Sequence, residues 1–203
     1  KIATKLAEDL GIKSKMVEGR RITDGESLKV VTMVYAGLIN KIIVSGLQSE
    51  NCNAIGLSGA DGNLIHAKRR PLKEIFSKEK NEMISVDYGF VGDLDESSID
   101  HQGLRKLLEA GFTPVFSAIT HDGKGQLLNT NADTIASAIS IAMAKEYETS
   151  LIFCFEKAGV LMDVEDESSV IRSIEPHYYN ELKRQGIIND GMIPKLDNAF
   201  EAI

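Results

Sequence analysis

The chain has 203 residues, with 23 Lys and Arg against 30 Asp and Glu and a net charge of −7. That length allows one large α/β domain or two small ones with a sizeable core, and the acidic balance excludes a chain that binds nucleic acid or acidic lipid over its whole surface. A small anionic metabolite is not excluded, because helix ends and a few cations decide that locally.

No apolar run approaches the ~18 residues of a membrane span, and no secretory signal is seen, so the cytoplasm is the expected compartment. Cys52 and Cys154 lie among apolar neighbours without CxxC or HxxxH company and read as buried thiols. His66, His101, His121 and His177 have no mutual spacing that suggests a metal, and no metal site is expected.

Taken in chain order, Lys1 to Leu10 reads as a helix with Ile2, Leu6 and Leu10 on one face and Gly11 as its stop. It has no cap residue in front, so the chain is expected to continue a longer protein. Lys15 to Val17 could be a strand. Thr23 or Asp24 caps a long helix with an apolar face of Leu28, Val31, Val34, Tyr35 and Leu38, and Gly37 and Asn40 mark its bend or stop. Ile42 to Leu47 begins another helix.

Cys52 to Leu57 is a compact apolar run ended by the turn Ser58 to Gly62, and Leu64 to Ala67 could pair back as a hairpin. The charged stretch Arg69 to Asn81 reads as a loop or irregular excursion. Met83 to Val91 alternates loosely, Ile99 to Ala110 is an amphipathic helix, and Thr113 to Ile119 is a strand apolar enough to be buried on both faces. His121 to Gly125 is a turn, Asn131 to Ala144 a small-residue helix, and Leu151 to Phe155 a second buried strand. Glu175 to Gln185 and Pro194 to Ile203 are the last helices. This alternation predicts a three-layer α/β/α sandwich with a mostly parallel central sheet.

Two polar motifs sit where a strand-like run gives way to a helix-like one: Asn129-Thr130-Asn131-Ala132-Asp133 and Gly191-Met192-Ile193-Pro194-Lys195. Helix N-termini offer unpaired N–H groups and a positive dipole end to an anion. Asn129 and Asn131 can donate and accept at once. Asp133 falls in a first helical turn, where an acid is welcome. Lys195 follows a helix-starting Pro194, where a cation invites an anionic partner and could neutralise charge on a transferred phosphoryl group. Arg21 precedes the long helix and suits a carboxylate. Each of these could also be only a cap or a surface charge.

Seven segments occur together in order: Val17-Glu18-Gly19-Arg20-Arg21-Ile22-Thr23-Asp24, Gly56 to Gly62, Gly89 to Asp93, Leu107 to Val115, Asn129 to Asp133, Gly159-Val160-Leu161 and Gly191 to Lys195. In this order the chain resembles the amino-acid kinase superfamily, and most closely its acetylglutamate kinases, over essentially its whole length.

The resemblance implies ATP-dependent phosphorylation of the side-chain carboxylate of an N-acylglutamate, in arginine synthesis. It implies that Arg21, Asn129 and Asn131 hold the substrate. Asp133 would orient catalytic lysines, and Lys195 would stabilise the transferring phosphoryl group. Glu156, Lys157, Gly159, Val160, Leu161, Ile188 and Asn189 would contact ATP, with Mg²⁺ held mainly through the nucleotide phosphates. Residues 1–145 would mainly bind N-acylglutamate and residues 146–203 mainly nucleotide, within one domain incomplete at both ends, in a homodimer without nucleic-acid or membrane partners.

The resemblance also places a second catalytic lysine before Lys1, so residues 1–203 alone are not expected to turn over. Phe155-Glu156-Lys157 departs from the Ser/Thr-Asp-apolar pattern usual in these kinases. Another amino-acid kinase, of the glutamate 5-kinase or aspartokinase type, and a ligand-sensing relative without turnover remain alternatives.

Overall fold

The computed structural model describes residues 2–12, 15–17, 20–77, 81–188 and 191–202, with the side chains of Arg20 and Arg21 outside that description. The first helix, α1 (Ile2–Asp9), buries Ala3 and Ala7. The strands β1 (Met16–Val17) and β2 (Arg20–Arg21) form a short antiparallel pair. Helix α2 (Gly25–Val31) is capped by Asp24, whose carboxylate accepts from the Ser27 amide at 2.9 Å. That hydrogen bond holds the Asp24 carboxyl below its ordinary range.

The expected stop at Gly37 and Asn40 does not occur. The helix continues as a π-helical stretch, Thr32–Ile39, and runs into α3 (Asn40–Ser49). The Asn40 amide reaches the Tyr35 carbonyl five residues back, so the wider turn absorbs the glycine without ending the helix. The joined helix, Gly25–Ser49, is 25 residues long and apolar enough to cross a membrane by length and composition. This corrects the sequence reading, which divided it. One face is packed on protein through Leu28, Val30, Val31 and Val34, and the buried Asn40 donates to the Val115 carbonyl at 2.7 Å. Met33, Leu38, Ile42 and Ile43 are exposed.

The parallel pair β3 (Ala54–Leu57) and β8 (Thr113–Phe116) forms one ladder. A second ladder has the order β4 (Lys68–Arg69), β7 (Val91–Asp93), β10 (Leu127–Thr130), β9 (Ile119–His121). Only its β7–β10 pair is parallel. The chain steps from one ladder to the other at Ser117-Ala118: the Ser117 amide bonds the Leu57 carbonyl, and the Ala118 carbonyl accepts from Thr130. The architecture is therefore mixed α/β, with short ladders stitched by single bonds where one mostly parallel sheet was expected.

Other local expectations change as well. Leu64 to Ala67 makes isolated bridges to Ile99 and His121 and no hairpin. Within the charged Arg69 to Asn81 stretch, expected to be a loop or irregular excursion, β5 (Lys73–Ser77) pairs antiparallel with β6 (Glu82–Val86). Leu151 to Phe155 forms no strand, and Ile152 is 80% exposed. An apolar run specifies burial but not the neighbouring strand whose N–H and C=O groups a ladder needs. Cys154 in that run is exposed and Cys52 half-buried, which corrects the reading of both as buried thiols.

The remaining helices start as their sequences suggest. The carboxylate of Asp100 accepts from Gly103 and caps α4 (His101–Glu109). The Asn131 side chain accepts from Thr134 at 3.0 Å and caps α5 (Ala132–Met143). Prolines open α6 (Pro176–Arg184) and α7 (Ile193–Glu201). A core of Leu64, Ile65, Ile99, Leu104, Ile135, Ala142 and Met143 seats α4 and α5 on the strands. A separate cluster around Tyr179, Leu182 and Ile188 joins α6, α7 and the irregular strip through Val160 and Ile171.

Candidate functional site

The two opening motifs meet in space. Asn131 follows β10 and caps the start of α5, which places Asp133 in the first turn. Pro194 starts α7 and places Lys195 in its first turn. The Lys195 ammonium donates to both carboxylate oxygens of Asp133, each at 2.8 Å. The side chains are 25% and 24% exposed, so the pair is shielded but reachable. An ammonium has three donors; this geometry leaves one for a third acceptor. The Phe153 ring centre lies 5.7 Å from the same nitrogen, an attraction between cation and ring face. Ser137 of α5 donates to the Asn198 carbonyl of α7 at 2.9 Å and holds the two helices together.

A cavity of about 610 Å³ opens beside this pair. Asn129 and Asn131 line it, with Thr23, Ser27, Tyr88 and Arg70, and so do Pro194, Thr134 and Asn198, the near neighbours of Lys195 and Asp133. The Asn129 side chain donates to Thr23 Oγ1 at 3.2 Å, which aims the amide across β10 toward the mouth of α2. The Arg21 side chain falls outside the described residues; its backbone in β2 stands two positions before the cavity-lining Thr23.

Sequence reasoning missed Arg70, which it left in a charged stretch. Its guanidinium grips both Asp93 oxygens through Nε, at 3.0 and 3.1 Å, and Asp93 Oδ1 through Nη2 at 2.5 Å. The bond to Asp93 raises its pKa further above the ordinary arginine range. The available signal was Asp93 within the Gly89 to Asp93 motif, but nothing local indicates its partner 23 residues away.

A second cleft, of about 230 Å³, gathers Lys157, Gly159, Val160, Leu161 and Ile188 with Phe155, Val164, Ile187, Gly191 and Met192. Glu156 lies in the same strip but off this wall, and Asn189 lies outside the described residues. The strip is held by backbone bonds, Ile171 to Val160 at 2.8 Å and Met162 to Ser169 at 2.9 Å. A Cβ on Gly159 would approach Val170 Cγ1 to 2.8 Å, so the close crossing needs glycine. Lys157 faces Glu167 at 3.7 Å.

Elsewhere, the His66 and His121 rings meet at a tilt of 36° with centres 4.7 Å apart. Burial first, and then the neighbouring His66, push His121 below the ordinary histidine pKa. Among the described residues no group of three or more His, Cys, Asp or Glu stands together as a metal cage.

An amide-lined cavity, a shielded lysine–carboxylate pair at two helix starts and a glycine-crossed cleft beyond it are together suited to bringing two anions side by side. The model of the amino acid kinase family matches residues 1–203, and the chain belongs to that family. Within it, the chain is 54% identical over 203 residues to an acetylglutamate kinase of Cytophaga hutchinsonii, covering all of this chain and 72% of that protein. It is 54% identical over 201 residues to an acetylglutamate kinase of Phocaeicola vulgatus, covering 99% of this chain and 73% of that one. Among solved structures, smu.665 from Streptococcus mutans UA159 superposes with a TM-score of 0.77 over 99% of this chain and 73% of its own, at 24% identity, a likeness of fold.

Proposed function

We propose that this protein transfers the γ-phosphoryl group of ATP to the side-chain carboxylate of an N-acyl-L-glutamate, N-acetylglutamate first, in arginine biosynthesis. The observation that carries this is 54% identity, along the whole chain, to acetylglutamate kinases. In the reaction a carboxylate oxygen bonds to the γ-phosphorus, the bond from that phosphorus to the β,γ-bridging oxygen breaks, and ADP leaves with the electron pair. Both reactants are anionic, so positioning and charge stabilisation do most of the work.

In this reading the large cavity holds the acylated glutamate. Asn129 and Asn131 hydrogen-bond it and Arg21 takes a carboxylate. Lys195 offers its third donor to the phosphoryl oxygens as charge shifts toward the leaving group. Asp133 keeps that ammonium aimed and is not itself the base, because a carboxylate nucleophile needs no deprotonation. The smaller cleft, with its apolar walls, takes the flat base of ATP against Gly159, Val160, Leu161 and Ile188, with Glu156, Lys157 and Asn189 at its edge. Mg²⁺, held mainly through the nucleotide phosphates, would offset part of their charge when bound. Residues 1–145 thus mainly serve the acylglutamate and 146–203 the nucleotide.

The exposed Met33, Leu38, Ile42 and Ile43 face of the long helix is read as the seam of a cytoplasmic homodimer, since an apolar helix face in water calls for a partner. The test of function is a hydroxamate trap for the acyl phosphate, run on the intact protein with ATP and N-acetylglutamate, N-succinylglutamate, glutamate or aspartate. Hydroxamate from an acylated glutamate is expected. Hydroxamate from aspartate alone, or from none of the four, overturns the reading.

A further inference from the structure

The face of α7 opposite Lys195 carries a contact that the family comparison does not explain. Tyr179 of α6 is 5% exposed. Its hydroxyl donates to Asp197 Oδ1 at 2.7 Å and lies 3.4 Å from the Ile193 carbonyl oxygen. Its ring stacks on Phe200, centre to centre at 5.1 Å. Lys183, one turn on from Tyr179, reaches Asp197 at 3.5 Å and lies over the Tyr179 ring at 5.4 Å. Residues 193, 197 and 200 form one stripe of a helix. Lys195 sits about 200° around the axis from Ile193 at 3.6 residues per turn, so it points away from α6 while Tyr179 grips the back.

We propose that Tyr179 and Asp197 form a clamp that sets the rotation of α7 and thereby positions the Lys195 ammonium against Asp133. This rests on the reading of Lys195 as the phosphoryl-stabilising group. Without the clamp, α7 keeps its Ser137–Asn198 contact with α5 but can roll about its axis. A roll of a few degrees moves the tip of a long lysine side chain much further than its backbone. Tyr179 is a positioning residue here, and it touches no substrate. Burial and the bond to Asp197 push its phenol up to about 12, so the donor stays protonated at any working pH.

The test compares Tyr179→Phe, Asp197→Leu, Asp197→Asn, Lys195→Ala and the Tyr179→Phe/Lys195→Ala double variant in the intact protein, each checked for folding by its melting temperature. Tyr179→Phe keeps the stack on Phe200, and if it fails to fold, Asp197→Leu stands in for it.

The clamp predicts that Tyr179→Phe and Asp197→Leu lower kcat by about tenfold, in the range of misplacement effects, with both KM values nearly unchanged. Asp197→Asn, which keeps the acceptor, should retain most of kcat. In the double variant the tyrosine change should add nothing to the loss from Lys195→Ala. A loss shared between kcat and KM, a loss that multiplies with Lys195→Ala, or no loss from either clamp variant overturns the clamp while leaving the role of Lys195 intact. Full kcat in Lys195→Ala overturns the reading of the site, and the clamp with it.

Discussion

The large cavity and the smaller cleft are built in opposite ways. The side proposed for the acylglutamate is assembled from the ends of regular elements: β10 delivers Asn129, the first turn of α5 delivers Asp133, and the first turn of α7 delivers Lys195. Each of these is fixed by a cap, a ladder bond or an ion pair. The side proposed for the nucleotide is an irregular strip, Phe155 to Met162, held by backbone bonds to Ser169 and Ile171 and by a glycine crossing at Val170. The contrast has a physical basis. Chemistry needs a charge placed within tenths of an ångström, which rigid elements provide, whereas a flat base needs a shaped apolar wall, which backbone at close approach supplies.

That contrast predicts different kinetic signatures on the two sides. The largest effect is expected for Lys195→Ala, a fall in kcat of about 10²–10³ as for loss of one transition-state donor, with smaller changes in both KM values. Steady-state rates at saturating substrate check it, and a mainly KM effect would move Lys195 from stabilising the transition state to binding. Next is Asn129→Ala. Loss of a half-buried amide contact of about 1–3 kcal/mol should raise KM for the acylglutamate by about 5–150-fold and leave KM for ATP nearly unchanged.

The mirror experiment is Gly159→Val. Its side chain meets Val170, so it should raise KM for ATP by about tenfold, the scale of a methylene-sized misfit in an apolar pocket, with the acylglutamate KM preserved. If Asn129→Ala and Gly159→Val each raise both constants, the two clefts are one coupled site and the contrast fails.

The smallest effect concerns stability away from both clefts. His121 has its folded pKa pushed below the ordinary 6.5 by burial and by His66. The unfolded chain therefore takes up a proton first. The stability tied to this group is present above about 6.5 and declines as the pH falls below it. Thermal unfolding between neutral and mildly acid pH should show that decline, and His121→Asn should flatten it. An unchanged slope would mean that carboxylates alone govern the acid limb.

Local chemistry was legible where the interaction partner lies within a turn. Asp24 and Asn131 cap helices through amides three residues on, and Pro194 opens α7, all within reach of a short window. The long helix was misread because Gly37 carries a breaker signal that a π-helical turn can absorb. Arg69 to Asn81 was misread because charged exposed strands alternate weakly. Leu151 to Phe155 was misread because apolarity says that a segment seeks cover and not which ladder accepts it. Arg70 went unnoticed because its guanidinium is meaningful only beside Asp93.

The kinase kinship is carried by seven motifs in chain order, and the helix starts that bear Asp133 and Lys195 are local, since caps and first turns are short-range events. Only the tertiary structure decided that those two starts face each other at 2.8 Å, that Arg70 and Asn129 share a cavity, and that Tyr179 grips the back of α7. Each of these joins residues far apart in the chain, and no local preference encodes which distant surfaces will pack together.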